Sequence, residues 1–438
     1  MRYDLIIRDG HCVLPWGEEV LNVGVRDGRI AALGIPGTAD AADIFDARGL
    51  HVLPGLIDPH VHFRDPGDPS VETIETGTRG AVLGGLTAVF DMPNTSPPVI
   101  DAASLAAKRA HAGTAAWCDI GLYVGATKDN ADSLGALETE PGVCGIKVFA
   151  GSTTGNLLVE DDASLERVMR SGRRRVAYHS EDEYRLRERR ALFHAGEPFA
   201  RHMEWRDEEC AFLGTRRIVG LAEKTRRPAH IVHVSTAEEL DWLRDHRSIA
   251  TVEVLVNHLT QVAPECYERL GGFAVMNPPI REARHREAAW AAVRDGRVDT
   301  IGSDHAPHPR AAKERPWPET AAGLTGVQTL VPLMLDHVNA GRLSLGRVVD
   351  LMSAGPARVY GVVGKGRLVA GYDADFTLVD MRRRQRIEAA ALVSPCGWTP
   401  FDGVSVLGWP VATIVRGVAV MSDGAVPGEP RGRLVRFA

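Results

Sequence analysis

The sequence has few of the features that mark disulfide-linked or nucleic-acid-binding proteins. Its six cysteines lie far apart and form no CxxC pair, so nothing suggests a zinc knuckle or a redox motif, and a reducing compartment is favoured. Aromatic residues make up only 6% of the 438 residues. The 51 Lys and Arg residues are outnumbered by 57 Asp and Glu, which gives a net charge of −6. The chain therefore lacks the excess of basic residues that would favour binding to nucleic acid.

Long apolar runs and an N-terminal targeting pattern are also missing. No run approaches the roughly 18 apolar residues of a membrane span, and Met1-Arg2-Tyr3-Asp4 opens without a charged region followed by an apolar one. There is no GxGxxG or P-loop motif to hold a phosphate. With 44% hydrophobic and 25% charged residues, the chain is typical of a globular protein. We therefore expect a cytoplasmic protein without membrane partners.

The chain divides into β-rich ends and a middle in which strands alternate with helices. The first fifty residues contain short apolar runs separated by Asp9-Gly10 and Asp27-Gly28, dipeptides typical of turns. From about Val52 to Ala357, apolar runs alternate with helical patterns, which predicts parallel βαβ units. Turns and short strands return after Tyr360, and we expect both ends to pack together as one β-domain. The predicted helices include Ala102–Ala112, Leu165–Ser171, Glu238–Asp245 and Glu282–Val293.

Residue types that bind metals follow several of the predicted strands. His60 and His62 come after the apolar run Val52–Ile57, and a spacing of two on a strand turns both imidazoles to one face. Such a pair suits a divalent metal, although an ordinary strand surface is the alternative. Three more metal-binding residue types directly follow apolar runs: His179 after Val176–Tyr178, His233 after His230–Val232 and Asp304 after Val298–Ser303. Because the strand ends of a (β/α)₈ barrel meet at one face, these positions together predict a metal centre there. Seven other histidines are interpreted as incidental: His11, His111, His194, His202, His246, His285 and His337.

Lys147 lies inside the apolar run Gly145–Ala150, where an unpaired ammonium is costly to bury. One interpretation is a lysine that reaches solvent or a carboxylate. The other follows from desolvation, which lowers a lysine pKa and frees the neutral amine to capture CO₂ as a carbamate. Such an anion would bridge two metals. The residues alone leave both interpretations open.

Six short motifs occur in order along the chain. They are Asp58-Pro59-His60-Val61-His62-Phe63-Arg64-Asp65-Pro66-Gly67, Asp91-Met92-Pro93-Asn94-Thr95, Gly145-Ile146-Lys147-Val148-Phe149, His179-Ser180-Glu181-Asp182, His233-Val234-Ser235-Thr236 and Ser303-Asp304-His305-Ala306-Pro307-His308. Together they resemble the dihydroorotases of the amidohydrolase superfamily. The resemblance implies an α/β fold, a (β/α)₈ TIM-like barrel with a small β-sandwich domain formed by both chain ends. The expected boundaries are 1–53 and 358–438 for the β-domain and 54–357 for the catalytic barrel.

The resemblance also implies a binuclear zinc centre with two Zn²⁺ per subunit. In that arrangement His60 and His62 bind one ion, and His179 and His233 bind the other. Lys147, as N6-carboxylysine, bridges the two. Asp304 completes the shell of the first ion and acts as general base and then acid toward a metal-bridged hydroxide; a ligand-only role is the alternative.

The resemblance further assigns the groups that hold a small-molecule substrate. A guanidinium grips a carboxylate with two parallel hydrogen bonds, and Arg64, two residues beyond His62, points to the same face if the strand continues that far. A surface arginine paired with Asp65 or Asp68 is the alternative. The other expected substrate contacts are His62, Asn94, His308, Asn277 and the backbone of Ala322 and Gly323. Asn277 and His308 are alternatively loop hydrogen-bonding residues.

The implied activity is the reversible conversion between L-dihydroorotate and N-carbamoyl-L-aspartate in de novo pyrimidine (UMP) synthesis. One alternative is another cyclic amidohydrolase, an allantoinase or a dihydropyrimidinase (hydantoinase), acting on an uncharged ring. A second is an inactive homologue that serves as structural partner of a transcarbamoylase. A homodimer or homotetramer is expected by the same resemblance.

The sequence departs from the family pattern in two places. Asp65 stands where many relatives carry Glu, and Val256-Asn257-His258-Leu259 replaces a Pro-His-His-Leu type string. His258 is interpreted either as support for the metal ligands or as an ordinary packed histidine, and His305 is equally ambiguous. The segment Ser152–Asn156 is either a mobile element or a static turn.

Overall fold

A computed structural model describes residues 2–438 and contains sixteen β-strands and fifteen α-helices. Three 3₁₀ segments and one π-helical segment, Asp350–Ala354, complete the regular structure. The strands are β1 Tyr3–Leu14, β2 Gly17–Arg26, β3 Arg29–Leu33, β4 Ala41–Asp46, β5 His51–Pro54, β6 Leu56–Val61, β7 Leu86–Asp91, β8 Asp119–Gly125, β9 Val143–Phe149, β10 Val176–His179, β11 Ala229–Ile231, β12 Ala250–Leu255, β13 Thr300–Gly302, β14 Phe376–Arg386, β15 Ser405–Val415 and β16 Val418–Ser422. The helices are α1 Ile74–Leu83, α2 Ala102–Ala115, α3 Ala131–Leu137, α4 Asp162–Arg170, α5 Glu183–Arg190, α6 Arg201–Trp205, α7 Glu208–Thr225, α8 Ala237–Leu243, α9 Val256–Thr260, α10 Glu265–Leu270, α11 Ala283–Arg294, α12 Arg310–Lys313, α13 Leu330–Asn339, α14 Leu345–Val349 and α15 Gly355–Tyr360.

Strands β6 to β13 form a parallel barrel in which each strand pairs with its neighbours in chain order. The ring closes where Val61 bridges His305 and the His62 amide donates to the His305 carbonyl at 2.7 Å. The strands are apolar on both faces because helices cover the outside and side chains fill the inside. The predicted α/β barrel is confirmed, and the four helical patterns correspond to α2, α4, α8 and α11 within a few residues.

The second sheet combines both ends of the chain, as predicted. Its strand order is β16-β15-β14-β5-β1-β2-β3, with β4 paired to β1. Strand β5 joins the two ends, since it runs antiparallel to β14 and parallel to β1. Gly55 separates β5 from the first barrel strand, and a Cβ there would lie 2.2 Å from Thr87 Oγ1. A glycine is therefore required where the chain passes from one sheet into the other.

The two predicted turns have different structures. Asp27-Gly28 is the tight turn between β2 and β3, and both residues have positive φ, as a type I′ hairpin requires. The prediction of a turn at Asp9-Gly10 was wrong. Strand β1 continues through these residues, and the pairing register with β2 shifts between Ile7 and Gly10. Asp9 has φ 56°, so the dipeptide forms a β-bulge inside a strand.

The amino end of the barrel is closed by the C-terminal segment and a buried cluster of charges. Val435 donates to the Ile120 carbonyl, and Phe437 packs edge-on against Phe90. Lys365 Nζ lies 2.6 Å from Asp119 and 2.5 Å from Asp375. These contacts fasten the C-terminal segment to the barrel and leave its opposite, carboxyl end open. Among residues 2–438, no helix combines the length and the apolar character that crossing a membrane requires.

Candidate metal centre and substrate pocket

A pocket opens at the carboxyl ends of the barrel strands. It collects nearly every candidate residue, although they are spread over more than 260 positions of the chain. Metal-ligand types lie at its floor, and polar loop residues form its walls. The lining consists of His60, His62, Arg64, Asn94, Lys147, Phe149, Thr153, Thr154, His179, His233, Asn277, Asp304, Ala306, Ala322 and Gly323. This arrangement is that of a barrel active site.

The first group of donors is formed by His60, His62 and Asp304. The Nε2 atoms of both imidazoles lie 3.2 Å from the same Asp304 oxygen, Oδ1. His60 is in β6 and His62 follows it, while Asp304 lies just past β13 with a positive φ of 47°. That strained backbone turns the carboxylate toward the imidazoles. These three side chains form a group able to hold one metal ion.

Two acceptors fix which imidazole nitrogens face the pocket. His60 Nδ1 donates to Glu253 Oε1 at 2.7 Å, and His62 Nδ1 donates to Asn94 Oδ1 at 2.6 Å. Each Nδ1 therefore carries the proton, and each Nε2 presents its lone pair. Partners of this kind orient metal-binding histidines and raise their basicity.

The second group of donors is His179 and His233. His179 Nδ1 lies 2.9 Å from His233 Nε2, so the two nitrogens are close enough to bind one ion. His179 Nε2 donates to Glu181 Oε2 at 2.9 Å, and Arg206 in turn donates to that carboxylate at 2.6 Å. His233 has φ 44° and its ring lies 5.5 Å from that of His60. The two donor groups are thus neighbours.

Lys147 lies in β9 beside both groups. Its side chain is fully buried and its Nζ has no hydrogen-bond partner among the described residues. Burial lowers the pKa of Lys147 to about 8, with Asp304 and Glu253 opposing that shift. Neither a carboxylate nor solvent satisfies the amine, so the alternative interpretation of this lysine is wrong. A buried amine without a partner, next to four imidazoles and a carboxylate, fits a carbamate that bridges two cations.

Burial favours the neutral, metal-binding form of three of the imidazoles, those of His62, His179 and His233. Burial lowers the pKa of His62 to about 3 and lowers those of His179 and His233 as well. Burial alone would raise the pKa of Asp304, but His60, His62 and Lys147 hold it below its usual range. His62, His179 and His233 therefore offer neutral nitrogens, and Asp304 offers an ionised carboxylate, at neutral pH.

Arg64 lines one side of the pocket. Strand β6 ends at Val61, so the expected strand alternation does not reach Arg64; a positive φ of 57° turns it inward instead. Within residues 2–438 its guanidinium makes no hydrogen bond or ion pair, and Nη1 is buried without a partner. Asp65 pairs with His111 and Asp68 bonds Ser70, so the predicted alternative of a surface pair is wrong.

Two other candidate substrate-binding residues, Asn277 and Ala322, form hydrogen bonds with residues that do not line the pocket. Asn277 Oδ1 accepts from His202 Nε2 at 2.9 Å, which leaves its Nδ2 free to donate. Trp317 donates to the other nitrogen of His202, so the interpretation of His202 as incidental was wrong. His308 does not line the pocket directly; it donates to the Ala322 carbonyl at 3.0 Å.

Two ambiguous histidines now have structural roles. His258 Nε2 lies 3.2 Å from the carbonyls of both Pro278 and Pro279 and so supports the loop that carries Asn277. His305 donates to Glu72 at 3.1 Å and accepts from the Gly326 amide. The side chains of both residues hold loops beside the pocket.

Sequence reasoning missed Glu253 and gave no role to Glu181. Glu253 is an acidic residue in the otherwise apolar run of β12, a pattern that predicts a buried and paired carboxylate. Glu181 follows His179 by two residues inside one of the motifs. A search for carboxylates next to ligand strands would have found both.

Replacing Glu253 with glutamine is expected to lower metal affinity roughly 10–100-fold. The amide keeps the shape of the side chain but loses the charge that holds the Nδ1 proton of His60. Competition with a chromogenic chelator measures the affinity. Glu138→Gln is a matched control, because Glu138 is an equally buried carboxylate that pairs with Arg227 away from the pocket. Equal metal affinities of the wild type and Glu253→Gln would contradict the role of Glu253 in orienting His60.

Comparison with known proteins defines the class. The sequence model of the amidohydrolase family matches residues 51–420. The chain therefore belongs to the amidohydrolase family, whose members generally use a metal ion.

Particular relatives narrow the class to cyclic amidohydrolases. The chain is 34% identical to the dihydroorotase of Methanothermobacter thermautotrophicus, over 95% of this chain and 94% of that protein. It is also 34% identical to the allantoinase of Deinococcus radiodurans, over 100% of this chain and 99% of that one. Among solved structures, the L-hydantoinase (dihydropyrimidinase) of Arthrobacter aurescens superposes with a TM-score of 0.94 at 27% identity, covering 99% of both chains.

Proposed function

We propose that the protein is a dihydroorotase, which interconverts L-dihydroorotate and N-carbamoyl-L-aspartate in de novo pyrimidine synthesis. The observation that carries this proposal is the unpaired guanidinium of Arg64, which faces the pocket beside the metal donors. Arg64 is partly buried and its Nη1 is buried without a partner, which costs free energy unless a ligand supplies an anion. The dihydroorotate carboxylate is such an anion, and relatives named dihydroorotase match nearly the whole chain.

The donor set supports two Zn²⁺ ions. We infer that His60, His62 and Asp304 would hold one, that His179 and His233 would hold the other, and that Lys147, as a carbamate, would offer oxygen donors to both. When bound, such a pair supplies a hydroxide at neutral pH and polarises the amide carbonyl. Zinc is the expected metal because imidazole and carboxylate donors suit it.

The chain's own residues would perform the other steps. Ring opening adds water across the ring amide: the carbonyl carbon gains the oxygen and the C–N bond breaks. Asp304 accepts the proton of the attacking water and returns it to the departing ring nitrogen, so one carboxylate is base and then acid. Arg64 and Asn94 bind the substrate carboxylate, with His308 next to them. Asn277 Nδ2 and the Ala322-Gly323 backbone bind the ring amides, which orients the carbonyl toward the metals.

The rival function is hydrolysis of an uncharged ring, as the allantoinase and hydantoinase relatives imply. Comparative turnover of L-dihydroorotate, dihydrouracil, hydantoin and allantoin by metal-replete enzyme decides between them. We expect dihydroorotate to have the highest kcat/KM by roughly 100-fold, because only this ring offers Arg64 a carboxylate. A higher kcat/KM for an uncharged ring would refute the proposal of a dihydroorotase but would leave the proposed metal centre unaffected.

A second rival is the inactive structural partner of a transcarbamoylase. All six candidate metal donors are present and within one pocket, whereas an inactive homologue has no need of them. Absence of turnover of all four substrates by the metal-bound protein would favour this rival.

We further propose domain boundaries at 1–53, 54–357 and 358–438, a cytoplasmic location and a homodimeric or homotetrameric state. Size-exclusion chromatography with light scattering tests the last of these.

A further inference from the structure

Behind one wall of the pocket lies a buried ammonium that pairs with no carboxylate. Lys313, the last residue of α12, is fully buried and does not line the pocket. Its Nζ donates to three backbone carbonyls, those of Val275 at 2.8 Å, Ala321 at 2.6 Å and Gly323 at 2.9 Å. Among residues 2–438 it forms no ion pair. Three acceptors match the three N–H donors of a lysine ammonium.

The three carbonyls belong to two loops that face the substrate. Val275 lies two residues before Asn277, and Ala321 and Gly323 flank Ala322. The loops also contact each other directly, since the Gly323 amide donates to the Val275 carbonyl at 3.0 Å. Lys313 therefore fastens together the two segments whose polar groups line that wall.

The same lysine is connected to the part of the pocket around His308. The Trp398 ring lies 5.5 Å from Lys313 Nζ, and its indole N–H donates to the His308 carbonyl at 2.8 Å. His308 in turn donates to Ala322. Lys313 is thus connected to both ends of the region behind the wall, to the loop of Asn277 directly and to His308 through Trp398.

Stability alone does not account for this arrangement. Burial lowers the pKa of Lys313 to about 7, because no anion opposes the desolvation of the ammonium. An apolar side chain would avoid that cost but would leave the Ala321 and Gly323 carbonyls without a donor, and the Val275 carbonyl with only the Gly323 amide. What the ammonium supplies is a fixed separation between the two loops.

We propose that Lys313 is a positioning residue that sets substrate affinity by holding the ring-binding wall in place. This rests on the proposed function, in which Asn277 and the Ala322-Gly323 backbone bind the substrate ring. Lys313 touches neither substrate nor metal donors. Its loss is therefore expected to affect binding far more than the bond-breaking step.

The test is Lys313→Met, examined by steady-state kinetics, metal analysis and hydrogen–deuterium exchange. We expect KM to rise about 10-fold or more with kcat within about threefold, since small displacements of positioning groups cost up to about 100-fold. Amide exchange at residues 275–277 and 321–324 should accelerate, while metal content stays at the wild-type value. Lys313→Gln keeps two N–H donors and should give a smaller rise in KM; an unchanged KM in this variant would also overturn the proposal.

Lys365→Met is the matched control. Lys365 is also a buried lysine, but it lies at the amino end of the barrel. The free energy of unfolding of this variant should be lower than that of the wild type, while KM should not rise. A KM within twofold of wild type in folded Lys313→Met, or an equal rise in Lys365→Met, would overturn the proposal. If the wild-type enzyme hydrolyses an uncharged ring instead of dihydroorotate, the proposed function is wrong. The role of Lys313 can still be tested in that case, by amide hydrogen exchange of the two loops and by KM for the uncharged substrate.

Discussion

Replacing Arg64 with methionine is expected to raise KM for L-dihydroorotate roughly 100-fold or more, with a much smaller effect on kcat. Removing one partner of a buried, hydrogen-bonded charge pair costs about 2–5 kcal/mol, and about 1.4 kcal/mol corresponds to a factor of ten in affinity. Methionine fills a similar volume and keeps the pocket closed. The carboxylate is remote from the bond that breaks, so its loss removes binding shared by ground state and transition state. Initial rates over a wide substrate range measure both constants.

Two comparisons make the Arg64 result specific. Turnover of an uncharged ring, such as dihydrouracil, should stay the same or improve in Arg64→Met, because no carboxylate is lost. Arg175→Met is the matched control: Arg175 donates to the Ala229 carbonyl at the amino end of the barrel and faces no ligand. An Arg64→Met enzyme with unchanged KM for dihydroorotate would remove the main argument for an anionic substrate.

Replacing Lys147 with methionine is expected to abolish turnover, by roughly 10³-fold or more, and to reduce metal content. Metal ions supply several kcal/mol of transition-state stabilisation, and each 1.36 kcal/mol is a factor of ten in rate. Methionine suits the buried site better than an ammonium, so the fold should persist or gain stability. The loss would therefore come from the missing bridge between two cations. Turnover and metal analysis of the purified variant measure the two effects.

Carbon dioxide provides an independent test of Lys147. Metal-free enzyme should recover activity with Zn²⁺ only when bicarbonate is present, because the amine must first become a carbamate. Lys147→Arg separates the explanations, since it keeps a positive charge but cannot be carboxylated under these conditions, and it should be as inactive as Lys147→Met. Full reactivation without bicarbonate, or a Lys147→Met enzyme with two bound metals and normal turnover, would contradict the bridging role.

The strand-end positions of the candidate ligands could be predicted because their cause is local. In parallel βαβ units, a ligand-type residue directly after an apolar strand lies at the carboxyl face, whichever helices follow. His179 and Asp304 satisfied this rule although 125 positions separate them. Arg64 also reaches the pocket, but by a left-handed backbone conformation beyond the strand end and not by strand alternation. The Asp9-Gly10 bulge was missed because pairing with a neighbouring strand outweighs the turn preference of that dipeptide.

The sequence by itself determined the class of fold and the chemistry of the candidate metal donors. Apolar periodicity and the residue types at strand ends are properties of short segments, which one sequence displays in full. Only the tertiary structure decided which atoms face the site. The lone pairs of His60 depend on Glu253, and the free amide of Asn277 depends on His202. Likewise, the unpaired state of Arg64 follows from Asp65 having bonded elsewhere. These are contacts between distant segments, and their energies depend on burial and distance, which exist only after the chain has folded.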